Sequence, residues 1–364
     1  MVDKSKIKKL AKIIVNYSIS VKPGEKVLLK GYGFDSYPLI KELYAECIKA
    51  GALDTVVRFS NDELSRVFFE NANEKQMKYL SPLELKVANN YDAMVQIVAD
   101  DNPYELKDID YGKIQTVQKA RKKLSDILHK KKWCLFYYPN RASAQTAKKN
   151  FEDWENFVFD SSIKDWAKEE KMQTKFVNLM KKVKTVRITG KETDLELSIK
   201  GQKWRTCCGK FNLPDGEIFT SPVKNSLNGV IKYNVPTNYM SHDFNWVKLT
   251  LKKGKVVDGD SDNKEALTKI LNTDKGSRYY GEFAFGLNDK IKEGTRQILF
   301  DEKMGKSLHM ALGKCYEECP NGNDSHIHWD LIFKFKEANA ELYFDGKKVY
   351  SKTKWVDSRF KFLN

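Results

Sequence analysis

Near residue 184 the spacing of the apolar residues changes, and this change constrains the fold more than any composition figure. Before it, strand-like and helix-like segments alternate. A Pro23-Gly24 turn precedes a short buried strand around Val27–Lys30, and SYPLIKELYAECIKAG at 36–51 carries apolar residues at helical spacing with Gly51 as a stop. DTVVRF (54–59) and AMVQIVA (93–99) read as further strands, KIQTVQKARKKLSDILHK (113–130) as a helix and WCLFYY (133–138) as a strand. Such alternation predicts a parallel sheet covered on both faces. FEDWENFVF and the stretch to Lys184 read as helices leading out of this domain. After 184 come TVRITG, DLELSIK, GVIKYNV, WVKLTLKKGKVVDG and LIFKFKEANAELYFDGKKVYSK, short segments of period two. Lys253-Gly254 and Asp345-Gly346 are hairpin turns, and one helix falls near 263–272. With 364 residues there is chain enough for two cores. The expected architecture is an α/β domain over 1–183 followed by a mainly antiparallel β (α+β) catalytic domain over 184–364.

Composition excludes some classes. A mean hydropathy of −0.59 and the lack of a long apolar run argue against a membrane span. The opening MVDKSKIKKLAKIIVNYS has no apolar core of secretory type; Ile7, Leu10, Ala11 and Ile14 instead mark an amphipathic helix. The six cysteines, Cys47, Cys134, Cys207, Cys208, Cys315 and Cys319, form no paired C-x-x-C pattern, so reduced thiols in a cytoplasm are the expectation. Cys315 and Cys319 are read as buried or bystander thiols rather than a soft-metal site. The net charge of +15 comes mostly from dispersed lysine, read as solvated helix faces, with no zinc-finger, KH or RRM signature beside it. A basic nucleic-acid-binding protein is the rival from another class, and it predicts binding that weakens steeply with salt.

The chemistry concentrates in 299–333, which holds three of the five histidines. His309 is followed seven residues later by Tyr316, and His328-Trp329-Asp330 closes the run. On a strand His328 and Asp330 point to one face while Trp329 turns into packing. Two earlier turn-rich stretches carry carboxylates: NLPDGEIFTSPVKNSLNG (212–229) with Asp215 and Glu217, and YYGEFAFGLN (279–288), where Glu282 follows Gly281. Glu217, Glu282, His309, His328 and Asp330 exceed the needs of one tetrahedral zinc, which takes about three protein ligands. They suit two divalent ions roughly 3.5–4 Å apart with one carboxylate shared. His326 is read as surface or supporting, and His129 and His242 have no ligand company.

The same residues carry a resemblance to the thermophilic aminopeptidase family (aminopeptidase T and its S relatives), two-metal peptidases. It runs over nearly the whole chain, through NYSISVKPGEKVLLKG and SYPLIKELYAECIKAGA. It is most specific in NLPDGEIFTSPV, DKGSRYYGEFAFGLN, DEKMGKSLHMALGKCY and SHIHWDLIF. The resemblance implies metal ligands at Glu217, Glu282, His309, His328 and Asp330, a catalytic tyrosine at Tyr316, and a homodimer with an enclosed site. The chain departs from the family in the polar ECPNGND and at Ala284 and Phe285, which touches substrate preference rather than ligands. Asp215 stays outside the expected site. The implied activity is release of N-terminal amino acids from short peptides, through a water activated by two divalent ions. Mixed N/O ligands accept Zn, Co or Mn. Glu282 is favoured as acceptor of the water's proton, with Glu217 as the alternative, and Tyr316 as donor to the oxyanion. A metal-dependent hydrolase of another bond, such as a phosphoester, is the closer rival.

Overall fold

The computed structural model describes residues 3–240 and 242–364. The chain divides into two compact units. One comprises the residues up to Lys164 with Gly209–Pro214, the other Asp165–Cys208 with Asp215–Asn364.

The first unit is built on a parallel sheet in the order Asp54–Ser60, Lys26–Tyr32, Ala93–Val98, Lys132–Tyr137, Asn212–Leu213. Each long strand is returned by helical chain, as parallel pairing requires. Tyr37–Lys49 connects the first two strands, and Tyr111–His129 leads into the Lys132–Tyr137 strand. Val27, Leu29, Val95, Ile97 and Phe136 are buried, so these strands read as near-continuous apolar runs rather than alternating ones. The edge strand Asn212–Leu213 is only two residues long and arrives from far along the chain.

The second unit holds two antiparallel sheets. The larger has eight strands, running from Lys255–Ser261 at one edge through Thr193–Ser198 and Thr185–Gly190 to Lys354–Trp355 at the other. Its hairpins turn at Lys253-Gly254 and Asp345-Gly346, and the helix Lys264–Leu271 lies between strands. The smaller sheet has the order His328–Lys334, Ser307–Gly313, Phe283–Gly286, Glu217–Thr220, Arg205–Cys207. The apolar faces of both sheets share one core. Leu195, Ile231, Leu249 and Phe344 come from the larger, and Phe283, Phe285, Leu308, Met310, Leu331 and Phe333 from the smaller. The Phe285 ring meets Phe344 at 6.2 Å between centroids, and Phe176 of the helix Trp166–Met180 packs on Phe285 at 5.4 Å. Each such buried ring contributes roughly 1.5–3 kcal/mol of transfer free energy, so the position of the smaller sheet is strongly set. No helix among the described residues is long and apolar enough to cross a membrane.

Candidate metal centre

Strand register puts the expected site residues on one face of the smaller sheet. His309 pairs with Ala284, Asp330 with Ala311, His328 with Gly313, and Glu217 with Gly286. Directly paired residues share a face, and so do residues two apart on a strand. Glu217, His309, His328 and Asp330 therefore stand on the same face, each with a glycine or alanine as one cross-strand partner; on their other side His309 pairs with Ile332 and Glu217 with Cys207. The other face carries Phe283, Phe285, Leu308, Met310, Leu312 and Trp329, all in the core. Trp329 stacks on Tyr239 at 5.1 Å, turned away from His328 and Asp330. Small residues between the polar ones leave room above this face for ions and substrate.

Glu282 joins the set through an irregularity. The Gly281 N–H donates to Ala311 O, and the Ala311 N–H donates to Glu282 O, so two residues oppose one, the pattern of a β-bulge. A Cβ at position 281 would stand 2.3 Å from Lys314 O and 2.5 Å from Gly313 O, which leaves glycine as the residue that fits.

The side chains converge as two overlapping groups. His309 Nε2 lies 3.2 Å from Glu217 Oε2 and 3.5 Å from Glu282 Oε1. His328 Nε2 lies 3.2 Å from Glu282 Oε2 and 3.7 Å from Asp330 Oδ1. Glu282 thus turns one oxygen to each imidazole, and the triads Glu217–Glu282–His309 and Glu282–His328–Asp330 share it. His328 Nδ1 meets Lys314 O at 2.8 Å; donation there would leave Nε2 as a lone pair facing the site. Tyr316, 44% exposed, sets its ring 4.9 Å from that of His328 and 5.2 Å from that of Phe219.

This donor set fits divalent cations. Glu217 Oε2, His309 Nε2, His328 Nε2 and Asp330 Oδ1 are buried atoms without a hydrogen-bond partner. Orphaned groups of this kind are costly unless something of opposite character meets them. Three carboxylates and two imidazoles on one largely buried face answer that need when cations bind between them.

The structure also brings in residues whose role the sequence does not reveal. Lys303, 2% exposed, places Nζ 2.6 Å from Glu217 Oε1 and 2.6 Å from Glu302 Oε1. Asp215, left outside the expected site, is buried 3.9 Å from the same ammonium. Both Glu302 and Lys303 lie in the quoted DEKMGKSLHMALGKCY, but a lysine there looks like the other dispersed lysines of a basic chain. His326, His129 and His242 are exposed, and all six cysteines are free thiols.

Electrostatics follow from this crowding. Burial opposes charge on His309, yet Glu282 and Glu217 raise its pKa to about 9; burial likewise opposes charge on His328, while Asp330 and Glu282 raise it to about 10. Burial drives Asp330 up, whereas for Glu282 the two imidazoles outweigh burial and hold the carboxyl low. Because the folded-state values of both histidines lie above the unfolded value near 6.5, their contribution is full below about pH 6.5 and lost as pH rises through 9 to 10. The metal-free protein is therefore expected to lose stability between pH 7 and 10 in urea denaturation. Its affinity for divalent ions should rise over the same interval, since protons must leave the imidazoles. Flat profiles for both would contradict this electrostatic picture.

This constellation is one that could hold divalent metal ions, and the sequence comparison supplies the class of chemistry. The chain matches the model of the thermophilic metalloproteases (M29) over residues 3–352. It belongs to that family and is a metal-dependent peptide hydrolase. It is 25% identical to aminopeptidase 2 of Geobacillus stearothermophilus over 408 aligned positions, covering 96% of this chain and 97% of that one. AmpS of Bacillus subtilis is 23% identical, with 96% and 98% covered. The solved structure of wild-type AmpT from Thermus thermophilus superposes with a TM-score of 0.84 at 20% identity, covering 97% of this chain and all of that one. It shares the fold.

Proposed function

We propose that this protein is an aminopeptidase that releases N-terminal residues from short peptides. The observation that carries the reading is the pair of triads sharing Glu282. The aminopeptidase names of relatives matched over 97% and 98% of their length support the choice of bond. Glu217, His309 and Glu282 would hold one divalent ion, and Glu282, His328 and Asp330 a second, each Zn, Co or Mn. Two such ions supply Lewis acidity for the scissile carbonyl, an acidified water and an anchor for a free α-amine. The Tyr316 hydroxyl, half-buried beside His328, donates to the oxyanion that forms on the carbonyl. The protein is further read as a cytoplasmic homodimer.

The test is a substrate panel on metal-replete protein. Aminoacyl-p-nitroanilides should be cleaved and their N-acetylated counterparts spared. Turnover of p-nitrophenyl phosphate instead would hand the site to phosphoester chemistry. Chelation gives a separate expectation: activity is lost, and the thermal midpoint falls, because ions bind the folded state alone. At a thousandfold excess over Kd that linkage is worth about 4 kcal/mol. Metal analysis after dialysis should return about two ions per chain, and a protein that binds none while remaining active would end the reading.

A further inference from the structure

The first unit carries a cavity of its own, lined by none of the metal-centre residues. Its place follows from chain order. Strands Lys26–Tyr32 and Ala93–Val98 are neighbours, yet the chain leaves them in opposite directions. After the first it returns through Tyr37–Lys49 to the edge strand Asp54–Ser60; after the second it runs through Tyr111–His129 to Lys132–Tyr137 on the other side. The connections part beyond the carboxyl ends of these strands, and parallel sheets bind ligands in the crevice this opens. Here the crevice measures about 400 Å³, within the range of small-molecule sites. Asp35 lines it from the loop after the first strand and Asp101 from the loop after the second; Tyr138, Pro139 and Arg141 follow Lys132–Tyr137, with Phe151 beside them. These loops are tied together. Gly33 has φ +78°, and a Cβ there would stand 2.0 Å from Ala99 O, so the first loop lies against the second. Asn140 Nδ2 donates to Asp100 O at 2.7 Å and ties the third to the second.

The lining holds both signs of charge and keeps them apart. Asp101 is raised by burial and then by Asp35, so the two carboxylates share one end of the cavity. Arg141 stands over the Phe151 ring at 5.7 Å. Asp35, Asp101 and Arg141 are open to solvent, and among the described residues none of them is ion-paired within the protein. Tyr138 is different: it is 3% exposed and its hydroxyl has no hydrogen-bond partner. Its ring is held against Phe136 and Phe159, with centroids 6.5 Å and 6.1 Å away. Burial raises the phenol, and Glu155 and Asp35 raise it further, which sets the hydroxyl toward Asp35 and the cavity. A buried phenol without a partner is costly unless a ligand supplies one. Two carboxylates call for a cation and a guanidinium for an anion, so a bare metal ion would answer only half of the lining. We propose that this cavity binds a free α-amino acid as its zwitterion. The ammonium lies between Asp35 and Asp101 and donates to the Tyr138 hydroxyl, the carboxylate meets Arg141, and an apolar side chain runs along Phe151 and Pro139.

Isothermal titration calorimetry of L-leucine into the full chain tests this. Glu282→Gln, whose metal centre is disabled, should still bind one leucine per chain; if that variant fails to fold, chelated wild type takes its place. Adding Arg141→Gln or Asp101→Asn should weaken the binding by about tenfold or more, the scale of a lost hydrogen bond to a charged group, with circular dichroism unchanged. Leucinamide, which lacks the carboxylate, and N-acetylleucine, which lacks the ammonium, should lose affinity by the same margin. Leucine that binds only when the metal centre is intact would belong to that centre and overturn the proposal. Binding that neither added substitution weakens would overturn it as well, and so would a dileucine peptide that binds more tightly than leucine. The readout is heat of binding rather than turnover, so a failure of the aminopeptidase reading leaves each of these outcomes unchanged.

Discussion

Glu282→Gln is expected to abolish turnover and to release at least one of the two proposed ions. Oε1 and Oε2 of Glu282 lie 3.5 Å and 3.2 Å from different imidazoles, so no other side chain at the site belongs to both triads. Glutamine keeps the shape but removes the charge, and its amide nitrogen is a donor that cannot ligate a cation. Both triads would be weakened by one substitution. A loss in kcat/KM of about 10³-fold or more is expected, equivalent to about 4 kcal/mol of transition-state stabilisation. Metal analysis and kinetics on the same preparation check it. A variant that keeps two ions with a full kcat would show that Glu282 is not shared between them.

The second large effect is on stability. Lys303→Met should destabilise the metal-free protein by about 3–5 kcal/mol, the usual cost of removing one partner of a buried ion pair. The methionine occupies similar volume, so packing changes little; the cost comes from Glu217 and Glu302 left without a counter-charge. Asp215, 3.9 Å away, adds to it. Saturating metal should return part of the loss, because a cation at Glu217 takes over some of the neutralisation. Lys303→Arg keeps the charge and should recover much of the stability, though a planar fork cannot replace a point charge contact for contact. Urea denaturation of the metal-free and metal-loaded forms measures this. A change below about 1 kcal/mol would place Lys303 with ordinary exposed ion pairs, despite its burial.

Much of the architecture is legible in the sequence because it depends on local periodicity. The strands at 26–32, 54–60, 93–98 and 132–137, with helices between them, follow from apolar runs and stop signals. Both hairpin turns sit where Lys-Gly and Asp-Gly pairs put them. The strand Asn212–Leu213 is not legible, since two residues inside a turn-rich stretch carry no period at all. At the site, residue types and the two-residue spacing of His328 and Asp330 can be read directly, because a strand converts that spacing into a shared face. Glu302 and Lys303 escape such a reading because burial decides their meaning. A lysine in this chain is normally a solvated charge, and only packing shows that this one is 2% exposed between two carboxylates.

Sequence alone determined which chemistry was available: two imidazoles, their carboxylate companions and a tyrosine, set in segments whose period made them strands or turns. It also placed glycine or alanine at 284, 286, 311 and 313. What those small residues are for emerged only from tertiary structure. Antiparallel register sets Ala284 against His309, Ala311 against Asp330, Gly313 against His328 and Gly286 against Glu217. The physical reason is that cross-strand pairing joins positions separated by tens of residues, and nothing in a local stretch encodes its partner. Register turned a scattered inventory into one polar face with space above it. Burial then decided which charges had to find a counter-ion there.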